Sequence, residues 1–124
     1  MLEASLKDTV IEKSGIPFEA GLHLADLLAI QDFDAAFCTE DMLAVGVLHG
    51  LLEKGVCVGK DFRLVGFDNI QIGRQVYPQL TTVDQNIFEK GETAIKTLLK
   101  ILKKKSSTGS RLVLPVNLVS RETA

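Results

Sequence analysis

The stretch LVGFDNIQIG, residues 64–73, runs from apolar positions through a glycine and an aromatic into Asp68 and Asn69. A carboxylate emerging at the end of a buried strand can accept hydrogen bonds from neighbouring hydroxyls of a polyol or sugar, each contributing about 1.5–3 kcal/mol. Composition alone equally allows Asp68 to cap a short turn at 70–74. Two other stretches have the same shape. FDAAFC (33–38) leads into Thr39, Glu40 and Asp41, and LTTVDQ (80–85) ends on Gln85. No GxSxG, P-loop or GxGxxG pattern occurs, and neither His23 nor His49 has an acid or nucleophile at a telling spacing, so no catalytic residue and no cofactor is expected. Cys38 and Cys57 lie in apolar surroundings without a CxxC or a histidine at ligand spacing; both are expected as buried, reduced thiols rather than metal ligands.

The elements that must position these residues follow two alternating periods. KDTVIE (7–12) is a short β-prone run. After the punctuation SGIPF, a helical pattern follows at Ala20, Leu24, Leu27 and Leu28. The continuous apolar run 33–38 suits a strand covered on both faces, with Thr39 as N-cap and Glu40-Asp41 as the acidic first turn of a helix over about 41–54. On that helix Met42, Val45, Leu48 and Leu52 form one apolar side and Ala44, Val47 and Leu51 another, more apolar surface than one sheet requires. Gly55 is expected at C′, with Lys54 in the last turn. FRLVGF (62–67) and LTTVDQ are further strands, and Asn86 with Glu89 forms a capping box for a helix over 86–104. Its stripe is Ile87, Gly91, Ala94, Ile95, Leu98 and Leu102, and it runs out into KKKSSTGS. In RLVLPVNLVS (111–120), Pro115 points to an edge or crossing segment.

Alternating β and α units predict an α/β domain with a doubly wound parallel sheet. In such sheets ligands bind outside the carboxyl ends of the strands, where Thr39, Glu40, Asp41, Asp68, Asn69 and Gln85 all fall. The 124 residues are 46% hydrophobic and 24% charged, which suits one domain with a real core. A net charge of −2 and a pI near 5.6 exclude this chain as an electrostatic nucleic-acid binder. No apolar run approaches the roughly 18 residues of a membrane span, no signal segment opens the chain, and a cytoplasmic protein is expected.

From about Gly15 to the C-terminus, the blocks DAAFCTEDMLAVG, LVGFDN, PQLTTVDQ and LVLPVNLVSRETA, in that order and spacing, resemble the effector-sensing domain of the lactose/galactose-repressor (LacI/GalR) family of bacterial transcription regulators. The resemblance implies the C-terminal subdomain of a periplasmic-binding-protein-like fold, incomplete here. It also implies a sugar-like effector and a homodimer, with operator DNA reached only through a DNA-binding domain that this chain lacks. Asp68 matches the aspartate that contacts effector hydroxyls in the family, and Gln85 a position lining the cleft. Ile16, or Phe18 nearby, matches an apolar ligand wall, and Glu40 stands where many relatives have Asn. Asp41 is expected to be structural, satisfying backbone N–H groups at its helix start. Family dimerisation would account for the doubly apolar 41–54 helix, making Val45, Leu48 and His49 interface candidates. The resemblance further implies that helix 86–104 belongs against an N-terminal subdomain outside this chain. It is therefore expected to repack onto the rest of the chain, onto a second copy, or by exchange between chains. A sugar-binding component of a transport system is the alternative that shares the fold.

Overall fold

The structure is a computed structural model and describes residues 10–11, 15–31, 33–104 and 111–124. Helix α1 (Pro17–Ile30) starts with its proline at the first turn, where a missing N–H is harmless. Strand β1 (Ala35–Phe37), helix α2 (Asp41–Glu53) and strand β2 (Arg63–Phe67) follow. After them come a single turn of helix, α3 (Ile72–Gln75), strand β3 (Thr81–Asp84), helix α4 (Ile87–Lys104) and strand β4 (Asn117–Val119). The expected strand at 7–12 lies mostly outside the described residues; Val10 and Ile11, which are described, are irregular and exposed.

The four strands form one sheet in the order β1-β2-β3-β4. The first three are parallel and β4 is antiparallel to β3, pairing Asn117 with Asp84 and Val119 with Thr82. The sheet is thus α/β as expected but mixed rather than wholly parallel, and Pro115 does precede an edge strand. The reversal has a topological cause. Helix α4 leaves from the carboxyl end of β3 and the chain comes back at that same end, so β4 can only run down the sheet. A helix that crossed back along the sheet would have made β4 parallel. Helix α4 accordingly has no extensive packing against any other described element.

Helix α2 explains the core. Ala44, Val45, Val47, Leu48 and Leu51 are all buried, with Leu64 and Leu80 of the sheet side and Leu24, Ala25 and Leu28 of α1 in the same cluster. Its second apolar side is taken by α1 of the same chain. Gly46 lies against the backbone carbonyl of Phe18, Gly50 against Ala25, and Gly21 against the backbone of Leu43 and Val47. Contacts that advance in step along both helices mean that α1 and α2 run parallel, their N-termini side by side. Glycine at these three places lets the two backbones approach closely. Helix α2 ends in a Schellman motif, with Gly55 at φ +78° as expected: Gly55 N–H donates to Leu52 O at 2.9 Å and Val56 N–H to Leu51 O at 3.1 Å. The opposite face of the sheet carries Phe37, Val65, Phe67, Val83 and Leu118, and among the described residues no helix covers it; Phe37 and Leu118 are exposed.

The last four residues tuck under the start of β2 and β3. Thr123, fully buried, donates from its hydroxyl to Leu64 O at 2.7 Å and accepts from Thr81 N–H at 2.9 Å.

Candidate functional site

The three parallel strands end side by side. Phe37 pairs with Val65 and Phe67 with Val83, so the residues just beyond them, Glu40, Asp68 and Gln85, emerge at one pole of the sheet. Ile16, the residue before α1, lies at the same pole because α1 runs parallel to α2, which starts there.

The turn after β2 is the most constrained backbone on this rim. Asp68 and Asn69 both adopt positive φ, +106° and +52°, a conformation that costs a non-glycine residue of order 1–3 kcal/mol and persists only where the surroundings over-determine it. Here they do. Asp68 N–H donates to Val83 O at 2.9 Å, and Asn69 N–H to the Thr82 hydroxyl at 3.3 Å. The Asn69 side-chain amide donates to Asp84 Oδ2 at 3.0 Å and accepts from Arg121 Nη2 at 2.6 Å, while Arg121 Nη1 donates to Leu80 O. Ile70 N–H donates to Asp41 Oδ2 at 2.8 Å. Burial, and next the neighbouring positive charge of Arg74, lower the Arg121 pKa below that of a free guanidinium.

This network divides the expected rim residues by role. Asp41 is fully buried and structural, though not by capping its own helix: it accepts from Ile70 N–H and, at 2.5 Å, from the Thr82 hydroxyl. It therefore ties the start of α2 to the β2–α3 turn and to β3. A side chain at Gly66 would collide with the Asp41 carboxylate, so that glycine is fixed by the aspartate above it. Thr39 is not the N-cap; Glu40 occupies that position in extended conformation, without a side-chain capping bond. Asn86 and Glu89 do meet, but through the Asn86 amide donating to Glu89 Oε2 at 2.7 Å, while Asn86 N–H donates to Asp84 Oδ1.

Asp68 and Gln85 are brought together. Gln85 Nε2 donates to Asp68 Oδ1, and Gln85 Oε1 accepts from Lys90 Nζ at 2.6 Å. Lys90 had no signal in the sequence beyond its position one turn into α4. Asp68 is only partly buried, and its second oxygen accepts no hydrogen bond among the described residues. The rim thus presents a carboxylate with one oxygen oriented by protein and one open, next to an amide. Glu40 is half-buried at the neighbouring strand end, and Ile16 is exposed.

Three expectations are corrected. Phe18 does not join the rim; it packs on the core between α1 and α2, its ring 6.0 Å from that of His49. Val45 and Leu48, expected at a subunit interface, are 7% and 2% exposed and belong to the chain's own core, because α1 rather than a partner covers that side of α2. His49 alone of the three keeps exposed surface, paired with Glu53 at 3.4 Å, on a face shared with Met42 and Leu52. A shallow depression of about 190 Å³ lies there, lined by Val45 and Leu48 as well as by Phe18, His49, Leu52, Val76 and Tyr77. Cys57 is exposed rather than buried, whereas Cys38 is buried and its thiol pKa is pushed up to about 12, by burial first and the nearby Asp41 charge second.

A domain described as "Periplasmic binding protein-like domain" matches residues 1–124. The transcriptional regulator RegA of Clostridium acetobutylicum is 37% identical over 93 residues, 75% of this chain and 28% of that protein. The crystal structure of a LacI family transcriptional regulator from Enterococcus faecium with bound ribose superposes with a TM-score of 0.77 at 31% identity, covering 86% of this chain and 40% of that one. The lac repressor dimer bound to operator and the anti-inducer ONPF superposes with a TM-score of 0.75 at 28% identity, covering 84% and 37%. The fold is that of a periplasmic binding protein-like domain, and the chain belongs to that family. Within it, the chain is a member of the LacI/GalR group of transcription regulators. It spans about a third of the length of the curated relatives it matches.

Proposed function

We propose that this chain is the C-terminal part of the effector-sensing domain of a transcription regulator, and that its rim binds a sugar-like effector. The observation that carries the reading is Asp68: a strained turn, held by five hydrogen bonds, sets its carboxylate at the strand ends with one oxygen on Gln85 and one open. Vicinal hydroxyls suit such a pair, one donating to the open carboxylate oxygen and one meeting the neighbouring amide. The ribose bound to the Enterococcus faecium regulator supports a pentose as the first compound to try. Ile16 supplies an apolar edge and Glu40 a second acceptor.

The second wall of the cleft and the DNA-binding head lie in those parts of the relatives that this chain does not span. An effector held between two walls favours one hinge state over the other and changes DNA affinity by that difference. The chain acts by binding, without catalysis and without a cofactor, in the cytoplasm. It pairs with a second copy, as the dimeric lac repressor supports, and the exposed Met42, His49 and Leu52 face of α2 is the surface this reading assigns to the pairing.

Half a cleft binds weakly. Titrated with ribose and a panel of pentoses and hexoses, the 124-residue chain is expected to show a Kd on the order of 1 mM or weaker. Its NMR shift changes should centre on the Gln85 side-chain amide and on residues 68–70. Asp68→Asn removes a charge-assisted bond and should weaken binding about 10- to 100-fold. Micromolar affinity in the isolated chain, or shifts that avoid the rim, overturn the reading.

A further inference from the structure

Three strand ends and the first turn of α4 give the rim a fixed order: Glu40 beyond β1, Asp68 beyond β2, Gln85 beyond β3, and then Lys90, whose Nζ donates to Gln85 Oε1 at 2.6 Å. The order is also one of charge, from two carboxylates through a neutral amide to an ammonium. Gln85 cannot turn round between them. The Asp68 carboxylate only accepts and the Lys90 ammonium only donates, so the amide gives its nitrogen to the one and its oxygen to the other. Two hydrogen bonds and one amide group hold the two charges within about 7 Å of each other without letting them pair.

The other charged groups at this end of the sheet have partners. Asp84 accepts from Asn86 N–H on one oxygen and from the Asn69 amide on the other, and Glu89 accepts from the Asn86 amide. Asp41 is buried on Ile70 N–H and the Thr82 hydroxyl. Arg121 donates to Asn69 and to Leu80 O, with Arg74 as its neighbour, and Glu92 pairs with Lys96. Glu40, without a capping bond, lies two strands away from Lys90. Lys90 itself forms no ion pair among the described residues; its bond to Gln85 leaves two N–H donors of the ammonium over.

We propose that Lys90 is a specificity-determining residue of the effector site, and that the effector is a sugar carrying an acidic group, a phosphate or a carboxylate. The proposal rests on the reading of the rim as that site. Hydroxyls at one end of such a molecule donate to the open Asp68 oxygen, and the acidic group, one sugar ring away, accepts from Lys90. Bound the other way round, the acid would face Asp68 and Glu40, so the order of charge fixes the direction of binding as well as the class of ligand. A neutral sugar leaves the ammonium to Gln85 and water, and a bare anion forgoes Asp68.

The test is an NMR titration of the 124-residue chain at pH 7 and about 50 mM salt, where exposed charges are weakly screened, with matched pairs: ribose against ribose 5-phosphate, glucose against glucose 6-phosphate, and galactose against galacturonate. Inorganic phosphate is the control. The acidic member of at least one pair should bind at least about tenfold tighter than its neutral parent, with shifts at the Gln85 side-chain amide and the Lys90 side chain. Which pair shows the preference tells phosphate from carboxylate. Lys90→Met should bring the members of each pair to within about threefold of one another, Lys90→Arg should keep most of the preference, and salt at about 0.5 M should shrink it. Neutral parents that bind at the rim as tightly as their acidic partners overturn the inference and leave the sugar-sensing reading standing. Inorganic phosphate binding as tightly as the sugar phosphates, or a preference that survives Lys90→Met, overturns it as well. Shifts that avoid the rim with every compound overturn both.

Discussion

Removing the Asp41 carboxylate tests the claim that the rim is built from below. Asp41→Ala deletes two charge-assisted bonds, from Ile70 N–H at 2.8 Å and from the Thr82 hydroxyl at 2.5 Å. Such bonds contribute about 1.5–3 kcal/mol each, about 3–6 kcal/mol together. Against this, the variant no longer has to bury a carboxylate, a relief of several kcal/mol before compensation by those same partners. The fully buried Thr82 hydroxyl keeps the hydrogen bond it accepts from Asn69 N–H but its O–H loses its acceptor, at a cost of about 1–3 kcal/mol, while the Ile70 N–H, half-buried, can rehydrate in part. The balance is a loss of about 3 kcal/mol. With a urea m-value of about 1.5 kcal/mol per molar for a domain of this size, the unfolding midpoint should fall by about 2 M. A double-mutant cycle with Thr82→Val should return a coupling of about 1–2 kcal/mol, because that substitution removes the hydroxyl the alanine variant strands. Amide exchange at residues 68–70 should accelerate more than that of α1, since the turn loses its anchor while the helix pair does not. A stability loss under 1 kcal/mol, or a zero coupling, would refute the view that Asp41 holds the Asp68 turn in place.

The remaining predictions concern the core, the thiols and the rim's electrostatics. Gly21→Ala drives a methyl into the backbone of Leu43 and Val47 and should lower stability by about 1–3 kcal/mol, read by thermal melting. An aromatic disulfide reagent at pH 8 should titrate Cys57 quickly and Cys38 only on the timescale of unfolding. Because the Cys38 pKa is raised to about 12 in the folded state, its contribution to stability is complete below the unfolded thiol pKa near 9 and declines as pH rises from there toward 12. Equal reaction rates for the two thiols would contradict this. The Asp84 carboxyl is held below its usual 3.8 by Asn86 N–H first and the Asn69 amide second. Its support of the 84–86 turn is therefore present at neutral pH and fades as pH falls below about 4; a carbon NMR titration of the side chain should show the depressed midpoint.

Much of this protein is readable along the chain because the information is local. The 3.6- and 2-residue periods mark α1, α2, α4 and the three parallel strands, since each element must turn an apolar side to one core. Gly55 after Lys54 specifies the end of α2 by a backbone conformation that glycine alone adopts freely, and Pro115 excludes a central strand. Parallel strands that end together are enough to place Glu40, Asp68 and Gln85 at one pole. What the periods could not say is which neighbour covers each face. The double apolar character of α2 is the same whether α1 or another subunit supplies the second layer, and only the packing of Gly21, Gly46 and Gly50 assigns it to α1. Likewise Asp41 and Asp68 are both acids just past a strand. One is swallowed by Thr82 and the Ile70 amide and the other is left with an open oxygen, a difference made by Arg121 and Thr82 arriving from far along the chain. Spacing dictates which side chains share an element; long-range hydrogen bonds and close backbone approach decide which of them remain free to meet a ligand.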